Sequence, residues 1–162
     1  MRFKSKIPIL ALLGILLLIN QVSGQNSKRT VAEKTKDLLT TFLIDENMER
    51  LEAMIDDAVK FHWPNRKVFD KAVLMKACQN VMTNNQNHAE IIDLVEKEDK
   101  GYVMFVWSGT VDQNPNTNLN GKEFSVHDFW RVTWKGDKIV DWYTIYGSES
   151  RKRQLGYTIT EP

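Results

Sequence analysis

Apolar positions recur at helical spacing through the first half of the chain and alternate as strands do through the second. Thr30-Val31-Ala32-Glu33 has the capping-box pattern, in which the threonine and glutamate side chains satisfy amide donors at a helix start. A helix is predicted from there to about Leu43, with Val31, Leu38, Leu39 and Phe42 as its apolar side. Asp45-Glu46-Asn47 interrupts it, and Met48, Leu51, Met54, Ile55 and Ala58 predict a second helix. Phe61-His62-Trp63-Pro64 is a short aromatic piece that ends at proline. A third helix is predicted from near Asp70, with Leu74, Ala77, Cys78, Val81 and Met82 forming a core stripe. Cys78 lies inside that stripe and reads as buried packing rather than a reactive thiol.

The character changes after Asn87. His88 to Glu98 reads as a strand of imperfect alternation, and Asp99-Lys100-Gly101 as a turn. Tyr102 to Asp112 is rich in the aromatic and β-branched residues that strands favour. Asn114 to Gly121 is a turn-rich loop, and Lys122 to Trp134 a long strand. Lys135-Gly136-Asp137-Lys138 closes a hairpin into Ile139 to Tyr146. Three helices followed by a run of strands is an α+β pattern. A long curved sheet, antiparallel or mixed, with helices against one face makes a cone with an open mouth.

The start of the chain stands apart. Arg2, Lys4 and Lys6 precede the uncharged run Ile7 to Ile19, and Val22-Ser23-Gly24 suits a signal peptidase. The run is shorter than the ~20 residues of a membrane-spanning helix. Residues 1–24 are therefore expected to be a signal peptide and 25–162 the mature domain, secreted or periplasmic, with no stable membrane span after processing. An uncleaved anchor is the alternative. Protein exported from a bacterial host should begin at Gln25 on N-terminal sequencing; a Met1 start in the membrane fraction would favour the anchor. Loss of the three basic residues turns the formal charge from +1 to −2, which gives no electrostatic case for nucleic acid. Arg151-Lys152-Arg153 reads as a solvated face. A single cysteine makes no internal disulfide, and a mature chain of this length folds on hydrophobic burial alone.

The order of these pieces carries a resemblance. The paired opening helices, Phe61-His62-Trp63-Pro64 and the strand ending Trp107-Ser108-Gly109-Thr110 contribute to it. So does the closing hairpin, Phe129-Trp130-Arg131-Val132-Thr133-Trp134 leading to Gly136-Asp137-Lys138-Ile139-Val140-Asp141-Trp142-Tyr143, followed by Gln154-Leu155-Gly156. From about Thr30 to Tyr157 the chain resembles the SnoaL-like members of the nuclear-transport-factor-2-like (ketosteroid-isomerase-like) superfamily. The resemblance implies a cone-shaped α+β barrel, three helices on a curved sheet, with an internal pocket and often a homodimer through the sheet. The superfamily holds isomerases, hydratases, epoxide hydrolases and cyclases beside non-catalytic members, so fold alone does not give function. In many SnoaL-like sequences an aspartate closes the last strand, where this chain has Gly147. An acid often precedes the closing aromatics of the strand before, where it has Trp130.

Alternation then sorts the candidates. Val126, Asp128, Trp130, Val132 and Trp134 share one strand face, which by the family comparison faces the cone. Tyr143 and Ile145 are expected to join it from the last strand, with Phe105 and Trp107 from the strand before. The expected ligand site is Trp107, Trp130 and Tyr143, an aromatic wall for a small hydrophobic molecule. Asp128 is the candidate base or acid, because a carboxyl among aromatics loses water and its pKa rises. His62 is the second candidate, placed to pair with Asp128 at the cone mouth. Tyr143 is the candidate donor to a carbonyl or oxyanion. His88, Glu90 and His127 do not have metal-ligand spacing, and neither a metal nor another cofactor is expected. Phe129 and Trp142 are expected on the outer face, where a homodimer would cover them. The reading is an exported small-molecule-binding domain with cofactor-independent isomerase, hydratase or cyclase chemistry. The rival is a non-catalytic dimerisation or protein-interaction module.

Overall fold

A computed structural model describes residues 29–63 and 67–157; the expected leader and Pro64 lie outside them. Thr30 caps helix α1 (Val31–Leu43) by the expected box: its hydroxyl accepts from the Glu33 amide at 3.1 Å, and the Glu33 carboxylate accepts from the Thr30 amide at 2.7 Å. Asn47 caps α2 (Met48–Met54), and Asp70 caps α3 (Lys71–Asn84), each side chain accepting an amide of the first turn. Leu38, Leu39, Phe42 and Leu43 of α1 are buried, as are Leu74, Cys78 and Met82 of α3. Cys78 is core, as expected, and burial pushes its thiol up to about 12, so it carries no thiolate near neutral pH.

Six strands form one mixed sheet in the order β2-β1-β6-β5-β4-β3. These are β1 (Ile55–His62), β2 (Val68–Phe69), β3 (Asn85–Lys97), β4 (Lys100–Val111), β5 (Glu123–Lys135) and β6 (Lys138–Tyr146). A 3₁₀ turn, Thr117–Leu119, sits in the β4–β5 loop, and a short helix α4 (Ser148–Gln154) closes the described chain. The α+β expectation holds. The sheet is curved but does not close, since β2 and β3 are free edges rather than partners in a barrel.

Two local expectations are corrected. The second helix stops at Met54, and Ile55 and Ala58 belong to β1, which runs parallel to β6. The apolar spacing from Met48 to Ala58 fits a helix, but Ile55, Val59 and Phe61 are buried as parts of a strand. The aromatic piece Phe61-His62 is the end of that strand, with Phe61 beside Trp142 and His62 beside Tyr143.

The other correction lies in the β5–β6 hairpin. Its turn is the expected two-residue one, with Lys135 opposite Lys138, Trp134 opposite Ile139 and Gly136 at φ +60. The register then slips by one residue, so that Thr133 faces Asp141 and Trp130 faces Thr144. A one-residue bulge turns every later side chain to the opposite face. Trp142, Thr144 and Tyr146 point into the core side, whereas Tyr143 and Ile145 point out. Trp142 is 2% exposed, so it is not an outer-face residue awaiting a partner.

Candidate functional site

A cavity of about 260 Å³ opens between the sheet and helices α1 and α3. Phe42 and Leu43 reach it from α1, Leu74, Cys78 and Val81 from α3, and Phe61 and Trp63 from the end of β1. The sheet supplies Trp107, Asp128, Trp130, Trp142, Thr144 and Tyr146, and α4 adds Arg151. The aromatic rings brace one another. Trp130 meets Phe105 edge-on at 4.7 Å and Trp142 at 4.9 Å, and Phe42 stacks on Trp130 at 5.9 Å. Trp107 is fixed by its indole N–H, which donates to Asn87 Oδ1 at 2.9 Å. The wall is aromatic and largely apolar, with polar groups only at a few points.

Asp128 is the polar centre. It is 6% exposed, and burial pushes its carboxyl from 3.8 up to about 7. Hydrogen bonds to the charged form oppose that rise. The Thr144 hydroxyl donates to Oδ1 at 3.1 Å, and the Phe129 amide donates to the same oxygen at 2.7 Å; the Trp130 indole adds a smaller effect in the same direction. Desolvation wins, and the group sits where a side chain can both take and return a proton near neutral pH.

Tyr146 lies directly across from Asp128 in the β5–β6 ladder, on the same face. Burial raises its hydroxyl pKa, which the nearby Arg151 charge opposes and the Asp128 charge assists. The phenol therefore stays protonated near pH 7 and keeps a proton to donate. A buried carboxyl and a half-buried phenol thus stand on facing residues of one cavity wall.

Of the residues singled out from sequence, Asp128, Trp107 and Trp130 line this cavity. Tyr143 does not, because the bulge sends it to the outer face, where the Arg131 guanidinium covers its ring at 5.2 Å. His62 does not meet Asp128. Its Nε2 lies 2.8 Å from Asp141 Oδ2 on the outer face, beside the Tyr143 ring, and Asp141 also accepts from Arg131 at 3.2 Å. The tyrosine that lines the cavity is Tyr146, three residues on.

Arg151 is the other residue that composition hides. In a basic run it looks solvated, yet it is half-buried, and a short helix folds it back over the Trp107 and Phe124 rings at 4.9 and 4.3 Å. Among the described residues no helix is long and apolar enough to cross a membrane, and no three His, Cys, Asp or Glu side chains converge as a metal site needs.

The SnoaL-like domain family matches residues 37–142. Among solved structures, IdmH of Streptomyces antibioticus, provisionally described as a polyketide cyclase, is 18% identical; the match covers 80% of this chain and 100% of that one, with a TM-score of 0.70. AclR of Streptomyces galilaeus, provisionally a hydroxylase, is 12% identical over 82% of this chain and 91% of its own, with a TM-score of 0.69. An LEH-like epoxide hydrolase of M. tuberculosis is 7% identical over 77% of this chain and 88% of its own, with a TM-score of 0.62. At these identities the likeness is one of fold. A search of curated protein sequences returns no match.

Proposed function

Because the chain belongs to the SnoaL-like domain family, we propose that it binds a flat, largely apolar molecule in the aromatic cavity and moves a proton on it without a cofactor. Asp128 is the base and Tyr146 the donor to the substrate oxygen. The observation that carries this reading is a carboxyl buried in the cavity wall with its pKa raised to about 7, facing a protonated phenol. Isomerisation, hydration and cyclisation all begin or end with such a transfer. The provisional cyclase and the epoxide hydrolase that share the fold are named for chemistry on small organic molecules.

2-Tetralone tests it, being a flat bicyclic ketone with acidic C–H bonds beside its carbonyl. In deuterated buffer the protein should speed exchange of those protons, read by NMR, well above buffer alone. Binding with no acceleration would leave a binding domain without catalysis.

Association through the sheet stands beside this reading. Val95, Tyr102, Met104, Phe129 and Ile145 fall on the outer face, and Met104 and Ile145 are 40% and 49% exposed. Contiguous apolar surface of this kind marks an interface. Light scattering at micromolar concentration should give a dimer mass, and Met104→Glu should return it to the monomer. A monomer mass for the unaltered protein removes the homodimer.

A further inference from the structure

Arg151 is a half-buried cation that lines the cavity and has no carboxylate in an ion pair with it among the described residues. Removing a guanidinium from water without a counter-charge is costly, and its neighbours offset only part of that cost. It lies over the adjoining Trp107 and Phe124 rings, and one Nη donates to Asn85 Oδ1 at 2.8 Å. Asn85 is itself buried and tied back to the α3 backbone by its Nδ2, which donates to the Val81 carbonyl at 2.8 Å. The guanidinium is therefore held in place rather than free to swing to solvent. Its Nε is buried and has no hydrogen-bond partner. The Trp142 indole nitrogen, in the same wall, is also buried without one.

A positioned cation without a counter-charge, set in a wall of aromatic rings, is half of a recognition pair. The missing half is an oxygen anion. The guanidinium fork fits a carboxylate through two parallel N–H bonds. We propose that the cavity selects flat ligands bearing a carboxylate, and that Arg151 binds that carboxylate while the aromatic body lies against Trp130 and Trp142. This rests on the small-molecule reading of the cavity and goes beyond it by giving the ligand a charge and an orientation. The carboxylate sits at the α4 end, and the rest of the molecule extends toward Phe42 and Phe61. Asp128 does not oppose this: protonated for much of the range up to neutral pH, it adds little negative charge to the cavity.

The test compares 2-naphthoate with 2-naphthamide, which have nearly the same shape and differ by one charge. Binding to the full chain is followed by calorimetry and by quenching of tryptophan fluorescence. The unaltered protein should favour the carboxylate roughly tenfold or more, the size expected of a buried charge-assisted pair. Arg151→Gln should bring the two ligands to near-equal affinity, whereas Arg151→Lys should retain a preference for the carboxylate. Equal binding of both ligands by the unaltered protein overturns the carboxylate inference and leaves the apolar-cavity reading intact. Binding of neither overturns both. A full preference that persists in Arg151→Gln assigns recognition elsewhere and overturns the role of Arg151. Should Arg151→Gln fail to fold, judged by its thermal melt, the ligand preference of the unaltered protein and of Arg151→Lys decides the matter.

Discussion

Asp128→Asn is expected to abolish the exchange of 2-tetralone protons while the chain stays folded and still binds. General-base catalysis is worth about 10²- to 10⁴-fold, so the variant should fall by that order toward the buffer rate. Asparagine keeps the carbonyl oxygen that accepts from Thr144 and from the Phe129 amide, so the local hydrogen bonds have a direct replacement. It cannot take a proton. Tyr146→Phe is expected to give a smaller loss, because it removes one donor to the developing oxyanion and leaves the base. A variant with Asp128→Asn that exchanges protons as fast as the unaltered protein would place the base elsewhere. Asp128 and Tyr146 are directly opposite in the ladder, so their effects should not add, and the double variant should fall little below Asp128→Asn alone.

How this pair came to be half-visible in the sequence follows from where strand parity is safe. Along β5 the alternation is unbroken from Phe124 to Trp134, with every second residue buried. Asp128, Trp130 and their face could therefore be assigned without a structure. Across the hairpin the same logic fails. The turn residues specify a two-residue loop, and in an unbulged ladder such a loop would set Trp130 opposite Tyr143. The bulge beyond Trp134 instead sets it opposite Thr144. Nothing in Ile139-Val140-Asp141 marks the extra residue, because Val140 and Asp141 are acceptable on either face. The exchange of Tyr143 for Tyr146, and of an outer Trp142 for an inner one, has this single cause.

The remaining gaps have different physical origins. Strand β1 was hidden because Met48 to Ala58 satisfies a helical stripe, and only a parallel neighbour distant in sequence makes Ile55 onward a strand. His62 then follows its strand to the outer face, next to Asp141 rather than Asp128. Arg151 was hidden because a basic triplet carries no sign of which member will turn inward. That depends on α4 packing across β5, where Gln154 bonds the Ser125 backbone through both its amide nitrogen and its carbonyl oxygen. The capping box at Thr30, the Cys78 stripe and the three long strands needed no such distant partner, and they were legible for that reason.

The stability of the protein should fall as pH rises toward 8, and Asp128 should be the cause. Most structural carboxylates act in the other direction: they are stabilised when charged, and acid removes that contribution. Asp128 has its pKa raised by folding, from 3.8 to about 7, so the folded state holds a proton that the unfolded state has released. Its contribution is fully present below about pH 4, declines as pH rises, and is lost above about pH 7. Integrated from pH 5 to pH 8, the change is roughly 2–3 kcal/mol. Tyr146 does not contribute in this window, because its pKa is pushed above the usual 10. Charge effects remote from the site cancel between the unaltered protein and Asp128→Asn, so the difference between the two isolates this one carboxyl. Urea unfolding of both at pH 5 and pH 8 should show the Asp128→Asn variant gaining on the unaltered protein by that amount at the higher pH. A difference that does not change with pH would mean that Asp128 is hydrated or fully paired in solution. It would then be an ordinary carboxylate, too weak a base near neutral pH for the proton transfer assigned to it.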